Sequence, residues 1–222
     1  MSKPNLVIFD LDNTILKGDS DYSMINYLIE NNFLGKSAEK RNEKFMDEYI
    51  NGKLDMSEYA KFTLSAYVGK TQQEIDEIIR PFIKTVVESM INVFALKLIH
   101  DHKDKGDELL LASATNELIV NPIARRLDFN SVISTKVEFI NGKCTGFFLL
   151  PLTIGSGKFQ AVKSWMEEHK YSNFLGTIFY SDSINDLPLL ESVEMPKVVN
   201  PDIRLEKIAN KRGWEIINLP KI

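Results

Sequence analysis

The sequence is poor in cysteine, in basic charge and in long apolar runs. A single cysteine, Cys144, excludes an internal disulfide and a cysteine-based zinc cluster. The chain has 27 lysines and arginines against 31 acids, so its net charge of −4 offers no basic face for nucleic acid. No apolar run approaches the ~20 residues of a membrane span, and the N-terminus has no signal-peptide architecture. We therefore expect a cytoplasmic protein with neither nucleic acid nor membrane as a partner.

The 222 residues are 44% hydrophobic and 26% charged, which is enough for one core and a smaller insertion. We find no repeats, low-complexity tracts or flexible linkers. Cys144 is predicted to be a half-buried strand residue. The three histidines, His100, His102 and His169, lie at polar helix ends, where we expect them to be exposed to solvent.

The order of predicted elements indicates the α/β fold class. Residues 5–9, NLVIF, predict a buried strand that presents Asp10 at its C-terminal end. Residues 20–89 have helical periodicity and predict about four helices and no strand. Helix and strand then alternate, and NGK within KVEFINGKCTGFF predicts a hairpin. The later predicted strands are ELLLAS, SVIST, GTIFYSD, PKVVN and WEIINL, and the later predicted helices run to about 103 and over 117–127, 158–169, 185–192 and 202–212. This pattern predicts a doubly wound parallel sheet with an all-helical insertion directly after its first strand.

Polar residues follow three of these strands. In a parallel sheet the C-terminal strand ends share one edge, where open α/β sheets bind their ligands. Between the second and third of these strands, IGSGKF places Lys158 after two glycines at the start of a helix. The residues at the strand ends are Asp10 and Asp12, then Ser113 and Thr115, then Asp182 and Asp186.

Acids gathered at one edge would repel one another unless a hard cation held them together. Mg²⁺ is the natural candidate because it takes oxygen ligands and bridges carboxylates to phosphate. Ser113, Thr115 and Lys158 supply donors for a phosphate dianion, so the set indicates phosphoryl transfer. A nucleotide P-loop is excluded, because that motif requires Gly at 152 and Ser or Thr at 159 and the chain has Leu152 and Phe159.

The pieces FDLDNT, SAT, GK and SDSINDLPLL, in this order and spacing, resemble the haloacid dehalogenase-like (HAD) phosphohydrolases. The resemblance covers nearly the whole chain and is to the subgroup related to phosphoserine phosphatase, which carries a helical cap after the first strand. It implies a Mg²⁺-dependent phosphatase of a small phosphorylated metabolite. The core would comprise 1–15 and 88–222, and the cap 16–87.

The resemblance also implies a role for each motif residue. Asp10 would be the nucleophile and form an aspartyl-phosphate. Asp12 would act as general acid and then as base, with its backbone carbonyl on the metal. The remaining assignments are Thr14 holding Asp12 in place, Ser113 and Lys158 binding phosphoryl oxygens, Asn185 contacting phosphate or Lys158, and Asp182 completing the Mg²⁺ shell with Asp186 behind it.

Substrate contacts in the cap are open between two readings. Asp19 lies where phosphoserine phosphatases usually carry an acid for the substrate's amino group, but it could equally cap a helix with Ser20. Arg41 lies roughly where they carry an arginine for the carboxylate, but it could equally lie on a solvated helix face. The same choice applies to Asp21, Glu43, Phe45 and Tyr49.

Two departures from typical phosphoserine phosphatases bear on the substrate. The chain has SAT where those enzymes usually have Ser-Gly, and SDSIND where they have GDGxND. Both favour a sister group with its own substrate, and histidinol phosphate is the alternative to phosphoserine.

Two other classes compete with the phosphatase. A signalling receiver also phosphorylates an Asp, but it needs only about 120 residues, lacks a cap, and does not place an acid where Asp12 stands. A catalytically idle Mg²⁺-binding protein is disfavoured because every motif position holds a competent residue.

Overall fold

A six-stranded parallel sheet forms the centre of the computed structural model, which describes residues 4–220. The strand order is β3-β2-β1-β6-β7-β8, with every neighbouring pair parallel. The strands are β1 Leu6–Phe9, β2 Glu108–Asn116, β3 Ser131–Thr135, β6 Ile178–Ser181, β7 Met195–Val199 and β8 Glu215–Ile217. The predicted doubly wound parallel sheet is confirmed.

Strand β1 lies between β2 and β6, and the register brings their C-terminal ends level. Phe9 is opposite Leu111 of β2 and Tyr180 of β6. Asp10 therefore leaves β1 beside the ends of both neighbours. A chain that winds in opposite directions from a central strand opens a crevice there, which is where such sheets bind ligands.

Alternate residues of the central strands enter two apolar cores, one on each side of the sheet. Val7, Phe9, Leu109 and Leu111 pack on one side, and Leu6, Ile8, Leu110 and Ala112 on the other. Because both faces are buried, the strands are continuous apolar runs. The helices that follow the cap are α6 Val93–Asp104, α7 Glu117–Arg126, α8 Ser156–Glu168, α9 Leu187–Leu190 and α10 Ile203–Arg212. No helix in the described part of the chain is both long and apolar enough to cross a membrane; the cytoplasmic location stays a prediction.

The segment after β1 is helical, as predicted. Its helices are α1 Ser20–Glu30, α2 Ser37–Ile50, α3 Met56–Thr63 and α4 Gln72–Phe82, followed by a π-helical stretch Ile83–Val87 and the short α5 Glu88–Met90. Asp19, Asp55 and Thr71 cap the N-termini of α1, α3 and α4 by accepting backbone N–H bonds. The division into a core over 1–15 and 88–222 and a cap over 16–87 stays a prediction.

The predicted hairpin forms an antiparallel pair, β4 Val137–Ile140 and β5 Lys143–Phe148. Asn141 and Gly142 form its turn with φ of +51° and +74°, the conformation that Asn-Gly favours. The hairpin also bonds to the cap, because Gly69 N–H donates to the Cys144 carbonyl at 2.8 Å and Cys144 N–H to the Lys70 carbonyl at 2.9 Å. This pairing covers Cys144, which is buried and not half-buried as predicted.

His102 corrects another expectation. His100 and His169 are exposed, but His102 is buried under the sheet. Its Nδ1 lies 2.7 Å from Asp107 Oδ2 and its Nε2 lies 2.9 Å from the Tyr180 hydroxyl. These two partners satisfy the buried ring. Neither was evident from the polar sequence around it.

Two element boundaries also differ from the prediction. Strand β2 continues to Asn116, past the predicted end at Ser113. The predicted helix 185–192 is a 3₁₀ turn, Ile184–Asp186, followed by the single turn of α9. Ser183 caps the 3₁₀ turn by accepting the Asn185 N–H.

Candidate active site

A cavity of about 450 Å³ lies between the C-terminal edge of the sheet and the cap helices. All the motif residues with predicted roles in catalysis, metal or phosphate binding lie on its wall except Thr14, which is buried beside it. The wall contains Asp10, Asp12, Ser113, Thr115, Lys158, Asp182, Asn185 and Asp186 from the core, and Asp19, Asp21, Phe45, Tyr49 and Tyr59 from the cap region.

Lys158 is the positive centre of the site. Its Nζ lies 2.8 Å from Asp10 Oδ1 and 2.8 and 2.9 Å from the two oxygens of Asp186. Only 3% of Lys158 is exposed. Burial lowers its pKa, but Asp10 and Asp186 raise it more, so the net pKa lies above the ordinary value and the amine stays charged. The Ser181 hydroxyl also donates to Asp186 at 2.7 Å, which fixes this carboxylate behind the lysine.

Two glycines bring Lys158 to this position. Gly155, immediately before α8, has φ of +57°, a conformation that side chains rarely adopt. Gly157 lies against the backbone, where an added Cβ would be 1.9 Å from the Leu152 carbonyl oxygen. The two glycines of GSGK therefore allow a close backbone approach and place Lys158 in the first turn of a helix.

Asp10 and Asp12 have separate partners. Asp12 Oδ1 accepts the Ser20 N–H at 2.7 Å, and its Oδ2 accepts the Thr115 hydroxyl at 2.8 Å. Burial raises the pKa of both acids to about 7. For Asp10, the Lys158 charge lowers the pKa and the Asp186 charge raises it. For Asp12, the Asp19 charge raises the pKa further. The two donors hold the Asp12 carboxylate away from Lys158.

Thr14 departs from its predicted role. Its hydroxyl donates to Asp182 Oδ1 at 3.3 Å, and it is Ser20 and Thr115 that hold Asp12. The prediction that Thr14 positions Asp12 is therefore wrong, because the turn after β1 directs the threonine toward the end of β6. Burial, with Asp10 and Asp186 nearby, raises the pKa of Asp182 well above its usual value.

The long β2 strand ends in three polar residues, of which Ser113 and Thr115 line the cavity. Ser113 is fully buried, and its Oγ accepts the Thr115 N–H at 3.1 Å. Thr115 faces Asp12, so it is engaged by the candidate acid and not only available to phosphate. Asn116 caps α7 and donates to Asp21 at 2.9 Å.

The cap residues divide into cavity-lining and outward-facing sets. Asp19 caps α1 through the Tyr22 N–H and also lines the cavity, so its contact with substrate stays a prediction. Asp21, Phe45 and Tyr49 line the cavity, whereas Glu43 is exposed and does not. Burial raises the pKa of Asp21 well above its usual value, and neighbouring Asp19 and Asp12 raise it further.

Arg41 lies outside the cavity, which favours the second of its two readings, a solvated helix face. Its guanidinium is 3.5 Å from Glu58 and lies over the rings of Phe45 and Phe62, with about half of the side chain exposed. Arg41 and Phe45 are four residues apart on α2 and share a face, so the guanidinium packs over the Phe45 ring while only Phe45 lines the cavity.

Sequence reasoning missed several polar cavity residues, among them Asn42, Tyr59, Asp202 and Arg204. It also missed Asn116, which donates to the cavity residue Asp21. Asn116 directly follows SAT, and a longer strand would have revealed it. Tyr59 and Asn42 lie on cap helices, whose positions the sequence pattern does not determine. Asp202 and Arg204 reach the cavity because the start of α10 bonds to the end of β6, where Asp202 N–H donates to the Asp182 carbonyl at 2.9 Å.

The oxygen groups at this site fit the way in which proteins usually bind Mg²⁺. In the described part of the chain, no three His, Cys, Asp or Glu side chains are arranged to hold a metal by themselves. Mg²⁺ typically keeps several waters and uses one or two carboxylates plus substrate phosphate. Asp10, Asp182 and the Asp12 carbonyl could supply that set. Burial raises the pKa of both carboxylates, so a bound cation would favour their ionised forms.

The family is shown by comparison with known proteins. Residues 7–191 match the haloacid dehalogenase-like hydrolase family. The chain is 37% identical over 218 residues to a histidinol-phosphatase of Neisseria meningitidis, covering 96% of this chain and 98% of that protein. It is 29% identical over 215 residues to a phosphoserine phosphatase of Mycobacterium tuberculosis, covering 94% of this chain and 68% of that protein. The chain therefore belongs to the haloacid dehalogenase-like hydrolase family. Within it, the protein is a phosphoric monoester hydrolase, and the predicted resemblance is confirmed.

Solved structures share the fold. A protein of unknown function from Bordetella pertussis aligns with a TM-score of 0.89 at 32% identity, covering 99% of this chain and all of that one. A substrate-bound phosphoserine phosphatase aligns with a TM-score of 0.70 at 16% identity, covering 98% and 94%. The second likeness supports the fold alone.

Proposed function

We propose that this phosphatase hydrolyses a small phosphorylated metabolite through an aspartyl-phosphate on Asp10, with Mg²⁺ bound and with histidinol phosphate as the first candidate substrate. The contact between Lys158 and Asp10 at 2.8 Å, in the wall of the cavity, is the observation that carries the proposal. A buried ammonium beside a buried carboxylate both maintains the nucleophile's charge and provides a partner for phosphoryl oxygens.

In the first step, an Asp10 carboxylate oxygen attacks phosphorus and the bond to the leaving oxygen breaks. Asp12 donates its proton to that oxygen, so the alcohol leaves neutral. Ser113 and Lys158 bind the phosphoryl oxygens, and Asn185, which lines the same cavity, contacts phosphate as well. Bound Mg²⁺ supplies positive charge that offsets the phosphoryl oxygens and the clustered acids.

In the second step, Asp12 takes a proton from a water molecule, whose oxygen attacks phosphorus. The bond between phosphorus and Asp10 breaks, which releases inorganic phosphate and restores the carboxylate. The hydrogen bonds from Ser20 and Thr115 support this double role because they hold Asp12 off Lys158. The cap helices limit the access of bulk water to the cavity.

Histidinol phosphate is preferred because its leaving group carries an amine and an imidazole but no carboxylate. Arg41, the predicted carboxylate partner, faces outward onto Glu58. The relative named histidinol-phosphatase is also the more similar of the two named phosphatases. Phosphoserine remains the second candidate because Arg204 lines the cavity and could meet a carboxylate.

The test is phosphate release with and without Mg²⁺ from histidinol phosphate, phosphoserine and other phosphorylated metabolites. Asp10→Asn should lower kcat by about 10³-fold or more while keeping the fold, because an amide is a poor nucleophile. Asp104→Asn makes the same chemical change on the exposed face of α6 and is the matched control.

The outcomes separate the rival classes. Turnover retained by Asp10→Asn contradicts the proposed nucleophile. A stable phosphorylated Asp10 without release of phosphate indicates a receiver, and no release from any ester indicates an idle binding protein. A preference for phosphoserine over histidinol phosphate reverses the choice of substrate without affecting the mechanism.

A further inference from the structure

We infer that Arg204, in the first turn of α10, binds the phosphate group of the substrate as it enters the cavity, before the phosphate reaches Lys158. The inference rests on the proposed phosphatase function and adds a binding residue to it. The ligand is a phosphate dianion, whichever alcohol carries it. Arg204 would raise the affinity and the rate of phosphate binding and would take no part in the chemical steps.

The first support is the charge of the cavity wall. Among described residues 4–220, the wall contains seven aspartates and two basic residues, Lys158 and Arg204. The protein as a whole is acidic as well, with a net charge of −4. Acids at short range repel a phosphate dianion, and bound Mg²⁺ would offset only part of their charge. A cation that the substrate meets early would lower this barrier to entry.

The two basic residues of the wall differ in exposure. Lys158 is 3% exposed and contacts Asp10 and Asp186 at 2.8 Å. The Arg204 side chain is 55% exposed, and its Nε lies 3.8 Å from Asp202 Oδ1. An exposed ion pair contributes little energy, so Asp202 competes weakly with a phosphate dianion for the guanidinium. A side chain that lines the cavity and is also half exposed lies at its opening.

Hydrogen bonds between α10 and the loop after β6 fix the position of Arg204. Asp202 N–H donates to the Asp182 carbonyl at 2.9 Å, and Asp202 Oδ2 accepts the Ile184 N–H at 2.7 Å. The Arg204 N–H donates to Asp202 Oδ1 at 2.8 Å. The same loop carries Asp182 and Asn185, which are proposed to bind Mg²⁺ and phosphate. The first turn of α10 therefore holds the arginine next to the loop that would receive the phosphate.

An arginine is suited to this contact. Its guanidinium is always charged near neutral pH and can donate two parallel hydrogen bonds to phosphate oxygens. A cation at the opening of a cleft raises the local concentration of an anionic substrate, and salt screens this attraction. Because Arg204 would meet the phosphate group and not the alcohol, its effect should be the same for every ester.

The main experiment compares kcat and KM of wild type and Arg204→Gln at two ionic strengths, in the Mg²⁺-loaded full chain. The substrates are histidinol phosphate, phosphoserine and phenyl phosphate. The ionic strengths are about 0.01 and 1 M, where the screening length is about 30 and 3 Å. At the low ionic strength, KM should rise by about 3- to 10-fold for all three esters, while kcat changes by less than about 2-fold. At the high ionic strength, the difference in KM should become smaller.

Two variants serve as controls. Arg204→Lys keeps the charge without the planar guanidinium and should restore most of the wild-type KM. Arg125→Gln makes the same change in net charge at an exposed arginine of α7 outside the cavity wall, and it should leave KM unchanged. A rise in KM that is equal in Arg125→Gln and Arg204→Gln would contradict a local role for Arg204.

A binding measurement needs no turnover. Titration calorimetry at the low ionic strength would give the Kd of inorganic phosphate for the Mg²⁺-loaded proteins, and this Kd should be about 3- to 10-fold higher in Arg204→Gln than in wild type. An unchanged Kd or KM, or no phosphate binding by wild type, overturns the inference.

Two further outcomes distinguish the inference from its alternatives. A rise in KM for phosphoserine alone also overturns it, because Arg204 would then bind a carboxylate of the leaving group. Phosphate binding by wild type without turnover of any ester contradicts the proposed function instead, and the comparison of Kd values then decides the role of Arg204.

Discussion

Asp10 and Asp12 are two residues apart, yet their surroundings give them different chemistry. Asp10 contacts an ammonium group, Lys158. Asp12 contacts an amide N–H and a hydroxyl. The Lys158 charge favours the ionised form of Asp10, which a nucleophile needs, whereas Asp12 is held by neutral donors. These contacts support the division of roles proposed for the pair.

Removing the Thr115 hydroxyl tests how Asp12 is positioned. Thr115→Val keeps the shape of the side chain but deletes the donor 2.8 Å from Asp12 Oδ2. We expect kcat to fall by about 10- to 100-fold, because proton transfer by a positioned group contributes about 10² to 10⁴. Steady-state kinetics on the preferred substrate would measure it. Thr115→Ser restores a hydroxyl and should recover most of kcat; equal losses in the two variants would show that the methyl group, not the hydroxyl, matters.

The sequence predicted which residues gather at the site but not every contact between them. Asp10, Ser113, Lys158 and Asp182 meet at the cavity because strand ends and a helix start share one edge of the sheet. Thr14 was assigned the wrong partner and Arg41 was left open between two readings, since the direction of a side chain in a turn or on a cap helix depends on packing that no local pattern records.

At the scale of the element, helix α8 depends on a backbone contact. The prediction began this helix at Lys158, and the structure begins it at Ser156. The difference arises because Gly157 packs against the Leu152 carbonyl, so the helix starts before the lysine and not at it. The sequence alone does not distinguish a glycine that a close backbone contact requires from a glycine that a positive φ requires.

Gly157→Ala tests that contact. A methyl group 1.9 Å from the Leu152 oxygen must shift the start of α8, which carries Lys158. We expect a loss of about 1–3 kcal/mol in the free energy of unfolding, typical of overpacking, together with reduced kcat. Urea unfolding and steady-state kinetics would measure both. Gly35→Ala is the control because its added Cβ has only Ser37 Oγ within 4 Å, at 3.8 Å; similar stability in the two variants would contradict the close approach.

The turn of the hairpin was predictable from the sequence, but the contact of the hairpin with the cap was not. Asn-Gly correctly predicted the turn between β4 and β5. The bonds from Gly69 and Lys70 to Cys144 link residues more than 70 positions apart, and they were not predictable from the turn. These hydrogen bonds connect the cap segment to the hairpin that follows β3. The cap segment is therefore linked to the rest of the chain by this contact as well as by its two ends.

At the scale of the whole molecule, the sheet concentrates negative charge at one edge of an already acidic protein. Asp10, Asp12, Asp182 and Asp186 line one cavity, and only Asp10 and Asp186 contact its lysine, Lys158, in the described part of the chain. Burial raises the pKa of the first three, which means that their ionised forms destabilise the fold near neutral pH. Function at this edge therefore opposes stability, and a bound cation would reduce the conflict.

Magnesium should therefore stabilise the protein as well as activate it. A ligand at 100 times its dissociation constant adds about 2.7 kcal/mol, and a chain of 150–250 residues gains about 2–4 °C per kcal/mol. We expect Tm to rise by about 5–10 °C in saturating Mg²⁺ and to return after chelation. Asp182→Asn should remove most of this rise because it deletes one of the two carboxylates available to the ion, and Asp104→Asn should retain it. An equal rise in Tm in both variants would show that the stabilising ion binds elsewhere on the molecule. The negative charge at the sheet edge would then be offset by Lys158 and the substrate, without the ion.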